Sequence, residues 1–257
     1  MPIVKLNLPP EYKEQPEYFD AWNIGYDTDA KNAVIETLLK AHKVKTVLDL
    51  TCGTGSQIFF LHQMGYSVTG ADFSPALIEI ARKKAREAKL HIPFIKGDMR
   101  TLKAGKFDAA ITIFNAVGHV TRAGFEKTIR NIHKNLKDDG VYVFDILNLD
   151  ALSDEVVKAF AMEIQKTLKD TTFHATQYST IDREKALLTS YNDHRIEQGS
   201  HPVRHLKSKF TLQIYTARQL KDMLTRNGFK AVEQYDLDGS PFLAEKSISI
   251  LTVARKA

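Results

Sequence analysis

Three acids, a glycine turn and an Asn/His pair in the first 120 residues have the types and spacing from which chemistry can be built. Asp49-Leu50-Thr51-Cys52-Gly53-Thr54-Gly55 follows a short apolar run and leads into a helical pattern through Ile58. A glycine-bearing turn of this kind lets the backbone approach a ligand closely and aims helix N–H groups at it. No Gly-Lys-Ser/Thr follows, so the turn is not a phosphate loop. It also fits dinucleotide binding poorly, because Ile58 stands where tight helix–strand packing wants a third small residue. Asp72 ends the next apolar run, in Val68-Thr69-Gly70-Ala71-Asp72-Phe73-Ser74. A carboxylate there can accept hydrogen bonds from both hydroxyls of a ribose. The plainer assignment, a helix cap before Pro75, is already filled by Ser74. Asp98, in Lys96-Gly97-Asp98-Met99, offers an acceptor for an adenine amine, with Met99 able to lie against the ring. By itself it is an ordinary loop acid. Asn115 and His119 follow a fourth apolar run, and Asp145 lies near the end of a fifth.

These residues need a scaffold that brings strand ends together. Hydrophobic periods alternate between 2 and about 3.6 residues from position 30 onward. Strands are expected near 46–50, 67–71, 92–95, 107–114 and 141–147, with helices between them, the second opened by Pro75. Such alternation predicts an α/β fold with a parallel sheet covered on both faces. After Asp150 the pattern changes. Val156, Val157, Phe160 and Ile164 suggest a helix, and Thr171 to Lys209 suggest two to four antiparallel strands laid beside the main sheet. Their turns fall near Asp182-Arg183-Glu184 and Gln198-Gly199-Ser200. A helix through Leu220 and Leu224 ends at Asn227-Gly228, and two strands, 229–235 and 247–254, close the chain.

Composition removes several classes. The 257 residues are 43% hydrophobic and 26% charged, which excludes disorder and collagen-like repeats, and one cysteine, Cys52, excludes an internal disulfide or a cysteine-built zinc site. No apolar run approaches the roughly 20 residues of a membrane span. The first ten residues lack a cationic end followed by a long apolar core. A cytoplasmic protein with no membrane partner is expected. The net charge of +5 is small and interspersed, so it demands no nucleic acid. The basic stretch from His194 to Lys209 reads as a solvated strand face. His201 and His205 flank Pro202 with no nearby carboxylate, so no metal is expected.

Taken together, the glycine turn and the strand-end acids resemble the class I S-adenosylmethionine-dependent methyltransferases, over roughly residues 18–150 and more loosely 205–254. The resemblance implies a Rossmann-like, doubly wound, mostly parallel seven-stranded sheet, with an antiparallel β-rich cover inserted after the fifth strand. It implies one methyltransferase domain over 1–257: a helical lid (1–44), a cofactor-binding core (45–150), a β-rich substrate cover (151–215) and closing elements (216–257). S-Adenosyl-L-methionine, with S-adenosyl-L-homocysteine as product, is then the expected cofactor. Thr51, Gly53, Thr54 and Gly55 border its methionine part, Asp72 and Phe73 its ribose, and Asp98 and Met99 its adenine. Thr51 stands where the family usually has glycine.

Within the family, the chain is most similar to glycine and sarcosine N-methyltransferases. Asn115-Ala116-Val117-Gly118-His119 resembles their Asn-Ser-x-x-His segment, and Ile24-Gly25-Tyr26-Asp27-Thr28 their lid entry. Asn115, His119 and Tyr26 are accordingly expected at both cofactor and reaction. Asp145-Ile146-Leu147-Asn148 departs from the pattern, because Leu147 replaces the arginine that pairs the glycine carboxylate. The expected acceptor is a small molecule methylated at nitrogen before oxygen, by a monomer or homodimer. An RNA or protein methyltransferase and a non-catalytic cofactor-binding protein are the alternatives. Among other aromatic residues, Tyr12, Tyr18, Phe19 and Trp22 suit a lid, and Tyr178, Tyr191 and Tyr215 an acceptor pocket.

Overall fold

The computed structural model describes residues 6–25, 27–168 and 170–257. A short helix α1 (Phe19–Asn23) precedes α2 (Thr28–Ala41). The chain then alternates β1 (Thr46–Asp49), α3 (Ser56–Gln63), β2 (Ser67–Asp72), α4 (Pro75–Glu87) and β3 (Phe94–Lys96). It continues through β4 (Phe107–Thr112), α5 (Arg122–Asn135) and β5 (Leu136–Leu147). Pro at the first turn and a Ser74 side chain accepting from the Leu77 N–H start α4, as the sequence predicts.

β1 to β5 are mutually parallel, and α7 (Ala217–Thr225), β10 (Phe229–Tyr235) and β11 (Ser249–Lys256) complete the sheet, β11 antiparallel to β5. The order β10-β11-β5-β4-β1-β2-β3 places a switch point between β1 and β4. The chain winds outward from β1 to β3, then returns to the other side of β1, so the loops leaving the two central strands diverge and open a crevice. Both faces are covered. Ile35, Leu39, Ile58, Leu61 and Ile78 of α2, α3 and α4 pack on one side, and Phe125, Ile129, Leu220 and Leu224 of α5 and α7 on the other.

The insertion after β5 differs from expectation in the extent of its helix. The helix α6 (Asp154–Ala159) stops before Ile164, which lies in β6 (Met162–Leu168) opposite Ala175. Two of the four expected helical positions therefore lie outside the helix: Phe160 at its cap and Ile164 in the strand. β6, β7 (Thr171–Asp182), β8 (Leu187–Gln198) and β9 (Arg204–Gln213) form a separate four-stranded antiparallel sheet, the cover expected after the fifth strand. Leu152, Val157, Leu188, Leu212 and Ile214 pack its base. Its inner face meets α1, where Phe173 and Ile196 pack with Ala21, Tyr18 and Trp22. The cover thus holds the N-terminal segment over the crevice.

Phe125 is fully buried, its ring 5.4 Å from that of Phe144 and 5.5 Å from that of Tyr215. Phe125→Ala leaves a cavity between α5 and the sheet and is expected to cost about 3–5 kcal/mol. Urea unfolding checks this. A midpoint within experimental error of the wild type would contradict the packing described.

Candidate cofactor and acceptor site

A cavity of about 420 Å³ lies at the C-terminal ends of β1, β2 and β4, at the switch point. Tyr12, Phe19, Asn23 and Ile24 contribute to its wall from the N-terminal segment. The glycine turn after β1 has Gly53 at φ +53° and Gly55 at φ +96°. A Cβ on Gly53 would sit 2.9 Å from Phe19 Cζ, so this glycine suits the lid ring that covers it as well as its backbone angle. The lid is fixed by Asp20, which accepts from Thr54 Oγ1 at 2.6 Å and from Lys84 Nζ at 2.5 Å.

Asp72, at the end of β2, is 5% exposed. Its carboxylate accepts from the Gly53 N–H at 3.0 Å and the Ser74 N–H at 2.8 Å, tying the glycine turn to the neighbouring strand end. Burial raises its pKa to about 6 despite those hydrogen bonds. Asp49, one strand over, accepts from the Thr51 N–H at 2.9 Å and is pushed up to about 7, chiefly by burial. Asp98 is half-exposed and differently engaged. Arg100 Nε lies 2.9 and 3.0 Å from its two oxygens, and this pairing holds its pKa below the usual range. Asp145, at the end of β5, accepts from the Asn115 N–H at 3.2 Å, and burial raises its pKa to about 6.

Phe114 and Asn115 both occupy the left-handed region, φ +61° and +58°. That costs a non-glycine residue of order 1–3 kcal/mol and marks a turn over-determined by its surroundings. The Asn115 Oδ1 atom is buried without a partner among the described residues. His119 follows in a short 3-10 turn, its Nε2 3.2 Å from the Tyr12 hydroxyl and its Nδ1 buried and, among the described residues, unpartnered. Burial lowers its pKa to about 4, so the ring is neutral at physiological pH.

Of the residues expected from sequence, Thr51, Gly53, Thr54, Asp72, Phe73, Asp98, Met99 and His119 share the cavity wall. Gly55 supports the turn from behind, donating to the Cys52 carbonyl, and Asn115 lies between wall residues Phe114 and Ala116. The Thr54 hydroxyl is committed to Asp20. Tyr26 lies outside the described residues. Tyr178 and Tyr191 stack with ring centroids 4.8 Å apart, and Tyr178 is 57% exposed, while Tyr215 is buried beside Phe125; none of the three lines the cavity. The basic stretch is partly neutralised on the cover sheet, Arg195 by Glu197 along β8 and Lys207 of β9 by Asp193 of β8. Sequence reasoning missed Asp20 and Gln57. Nothing in the spacing of Asp20 signals a contact with Thr54 34 residues away. Gln57 lies in the first turn of α3, lines the cavity, and has both amide atoms buried without partners among the described residues. Among the described residues, no group of three or more His, Cys, Asp or Glu gathers into a metal site.

Comparison with known proteins agrees with this geometry. A family described as methyltransferase domain matches residues 47–140, the segment containing the glycine turn, Asp72, Asp98, Asn115 and His119. The matched segment is a methyltransferase domain. It is 24% identical over 225 residues to an uncharacterized protein of Methanocaldococcus jannaschii, covering 84% of this chain and 76% of that one. It is 30% identical over 150 residues to the glycine/sarcosine N-methyltransferase of Parasynechococcus marenigrum, covering 55% of this chain. The match spans about half of that enzyme (52%). In fold it is similar to the sugar N-methyltransferase KedS8 of Streptoalloteichus, with a TM-score of 0.79 at 18% identity, over 100% of this chain and 96% of that one. The residues present fit the family cofactor: Asp72 is anchored by amides where ribose hydroxyls would donate, and the unpartnered Thr51 Oγ1 and Gln57 amide stand in the same wall.

The raised carboxyls give a pH signature. Asp49, Asp72 and Asp145 bind protons more tightly folded than unfolded, so their contribution to stability is full at about pH 4 and is lost as pH rises to about 7. Asp108, held down to about 2 beside Lys137 and Thr46, acts in the opposite sense only below about pH 4. Asp49→Asn is therefore expected to flatten the fall in unfolding midpoint of the ligand-free protein between about pH 5 and about pH 8. An unchanged slope would contradict the assignment for Asp49.

Proposed function

We propose that this chain transfers a methyl group from S-adenosylmethionine to the nitrogen of a small amine that carries no carboxylate. The observation that carries the acceptor class is the charge of the cavity wall. Among its described residues Arg100 is the one formal cation, and its guanidinium is engaged by Asp98. Nothing there offers the bidentate clamp that a glycine-like carboxylate requires. Leu147, at the end of β5, is consistent with this. Leu6, Leu8, Phe114 and Val120 supply apolar wall instead. The names of the cyanobacterial and sugar N-methyltransferases favour nitrogen as the methylated atom.

The cofactor supplies a methyl group already activated on a sulfonium, so the protein contributes alignment and exclusion of water. In this reading Asp72 accepts from the ribose hydroxyls and Asp98 stands at the adenine end. Thr51 and the glycine turn border the methionine part. Phe19 and Tyr12 close the cavity from above, and Phe73 lies beside Tyr12 with ring centroids 6.1 Å apart. Asn115 orients the acceptor nitrogen beyond β4, its left-handed backbone held by Asp145. An amine that arrives neutral needs no obligatory base. The lid, core, cover and closing elements (1–44, 45–150, 151–215 and 216–257) act as one methyltransferase unit.

Formation of S-adenosylhomocysteine from S-adenosylmethionine, followed with separate pools of small amines, amino acids, RNA and protein, tests the reading. Turnover is expected with amines lacking a carboxylate and not with glycine. Asn115→Ala is expected to lower kcat by about 10- to 100-fold while S-adenosylhomocysteine affinity changes less than about threefold. Turnover confined to RNA or protein, or to glycine, would contradict it.

A further inference from the structure

His119 is fixed from several sides. The Tyr12 hydroxyl meets its Nε2 at 3.2 Å, and the Tyr12 ring stands nearly perpendicular to the imidazole, 72° at 5.2 Å between centroids. Phe210 of β9 lies 6.0 Å away, centroid to centroid, and Nδ1 is buried without any partner among the described residues. Burial keeps the ring neutral, with its pKa lowered to about 4. A neutral imidazole has one N–H and one lone pair, and the partner of one nitrogen decides which nitrogen carries the proton. Tyr12 is itself buried deeply enough that its phenol stays protonated well above the usual range. A phenol O–H is a stronger donor than an imidazole N–H, and an imidazole lone pair is a stronger acceptor than a phenol oxygen. The favoured arrangement is therefore Tyr12 O–H donating to Nε2.

We propose that Tyr12 is a positioning residue that holds His119 as the Nδ1–H tautomer, making the histidine a hydrogen-bond donor to a ligand oxygen and not a proton acceptor. With the Nε2 lone pair engaged by Tyr12, no lone pair remains on the ring to take a proton from the acceptor amine. That proton leaves to solvent instead. The Nδ1–H, unpartnered among the described residues, is a buried donor awaiting an acceptor, and it matches a carboxylate oxygen of the cofactor or a hydroxyl oxygen of cofactor or methyl acceptor. The ligand's identity rests on the methyltransferase reading, whereas the tautomer does not.

Nitrogen-15 NMR of the ligand-free, histidine-labelled full chain tests the inference, with His119→Asn assigning the resonances that disappear. The wild type is expected to show a pyrrole-type, protonated Nδ1 and a pyridine-type Nε2. Tyr12→Phe, which keeps the ring and removes the hydroxyl, is expected to shift the population toward Nε2–H. S-Adenosylhomocysteine is then added as a separate arm, and failure to bind would count against the methyltransferase reading while leaving the tautomer result intact. An Nε2–H wild type, or a tautomer unchanged in Tyr12→Phe, would overturn the proposal. The wild-type spectrum decides the matter even where the variant disturbs the N-terminal segment.

Discussion

A buried carboxylate held by backbone amides is the constraint on which the site depends. Asp72 has no ion-pair partner among the described residues, and its charge is met by the Gly53 and Ser74 N–H groups. Buried carboxylates are costly unless such donors converge on them. Asp72 therefore pins the glycine turn after β1 to the end of β2. Glycine at position 53 suits this pinning, because a Cβ there would crowd the Phe19 ring on a left-handed backbone. Phe19 is held in turn by the helix whose next residue, Asp20, bonds Thr54 and Lys84. One carboxylate, one glycine and one lid ring form a connected unit.

The topology explains why this unit lies beside the reaction centre. Reversal of strand order between β1 and β4 opens the crevice, and Asp49, Asp72 and Phe114 line it from three adjacent strand ends. The cover sheet completes the enclosure at second hand, packing Phe173 and Ile196 against α1 so that the N-terminal segment stays over the cavity. Acceptor selectivity then follows from the charge and shape of the walls more than from the chemistry of transfer, which the cofactor largely supplies.

The core was legible because its cues are local. A strand running into Gly53 and Gly55, an acid closing the next strand, and Pro75 after Ser74 each restrict the backbone within a few residues. The cover was legible only as a class. Ile164 has helical spacing from Val156, Val157 and Phe160, yet pairing with β7 draws it into a strand, because cross-strand partners override a weak local period. Tyr178, Tyr191 and Tyr215 show the same limit, since alternation places side chains on two faces without saying which face meets a cavity. Tyr12 was legible as a lid ring, but its contact with His119 and that of Asp20 with Thr54 were not: they join residues 107 and 34 positions apart, and no spacing encodes them.

The most direct test of the account is calorimetric titration of the full chain with S-adenosylhomocysteine, for the wild type and Asp72→Ala. The account predicts micromolar binding, with affinity lowered by about 10- to 100-fold in the variant as its charge-assisted hydrogen bonds are lost. Equal binding by both proteins would remove Asp72 from the ribose. No binding by the wild type would contradict the cofactor site itself.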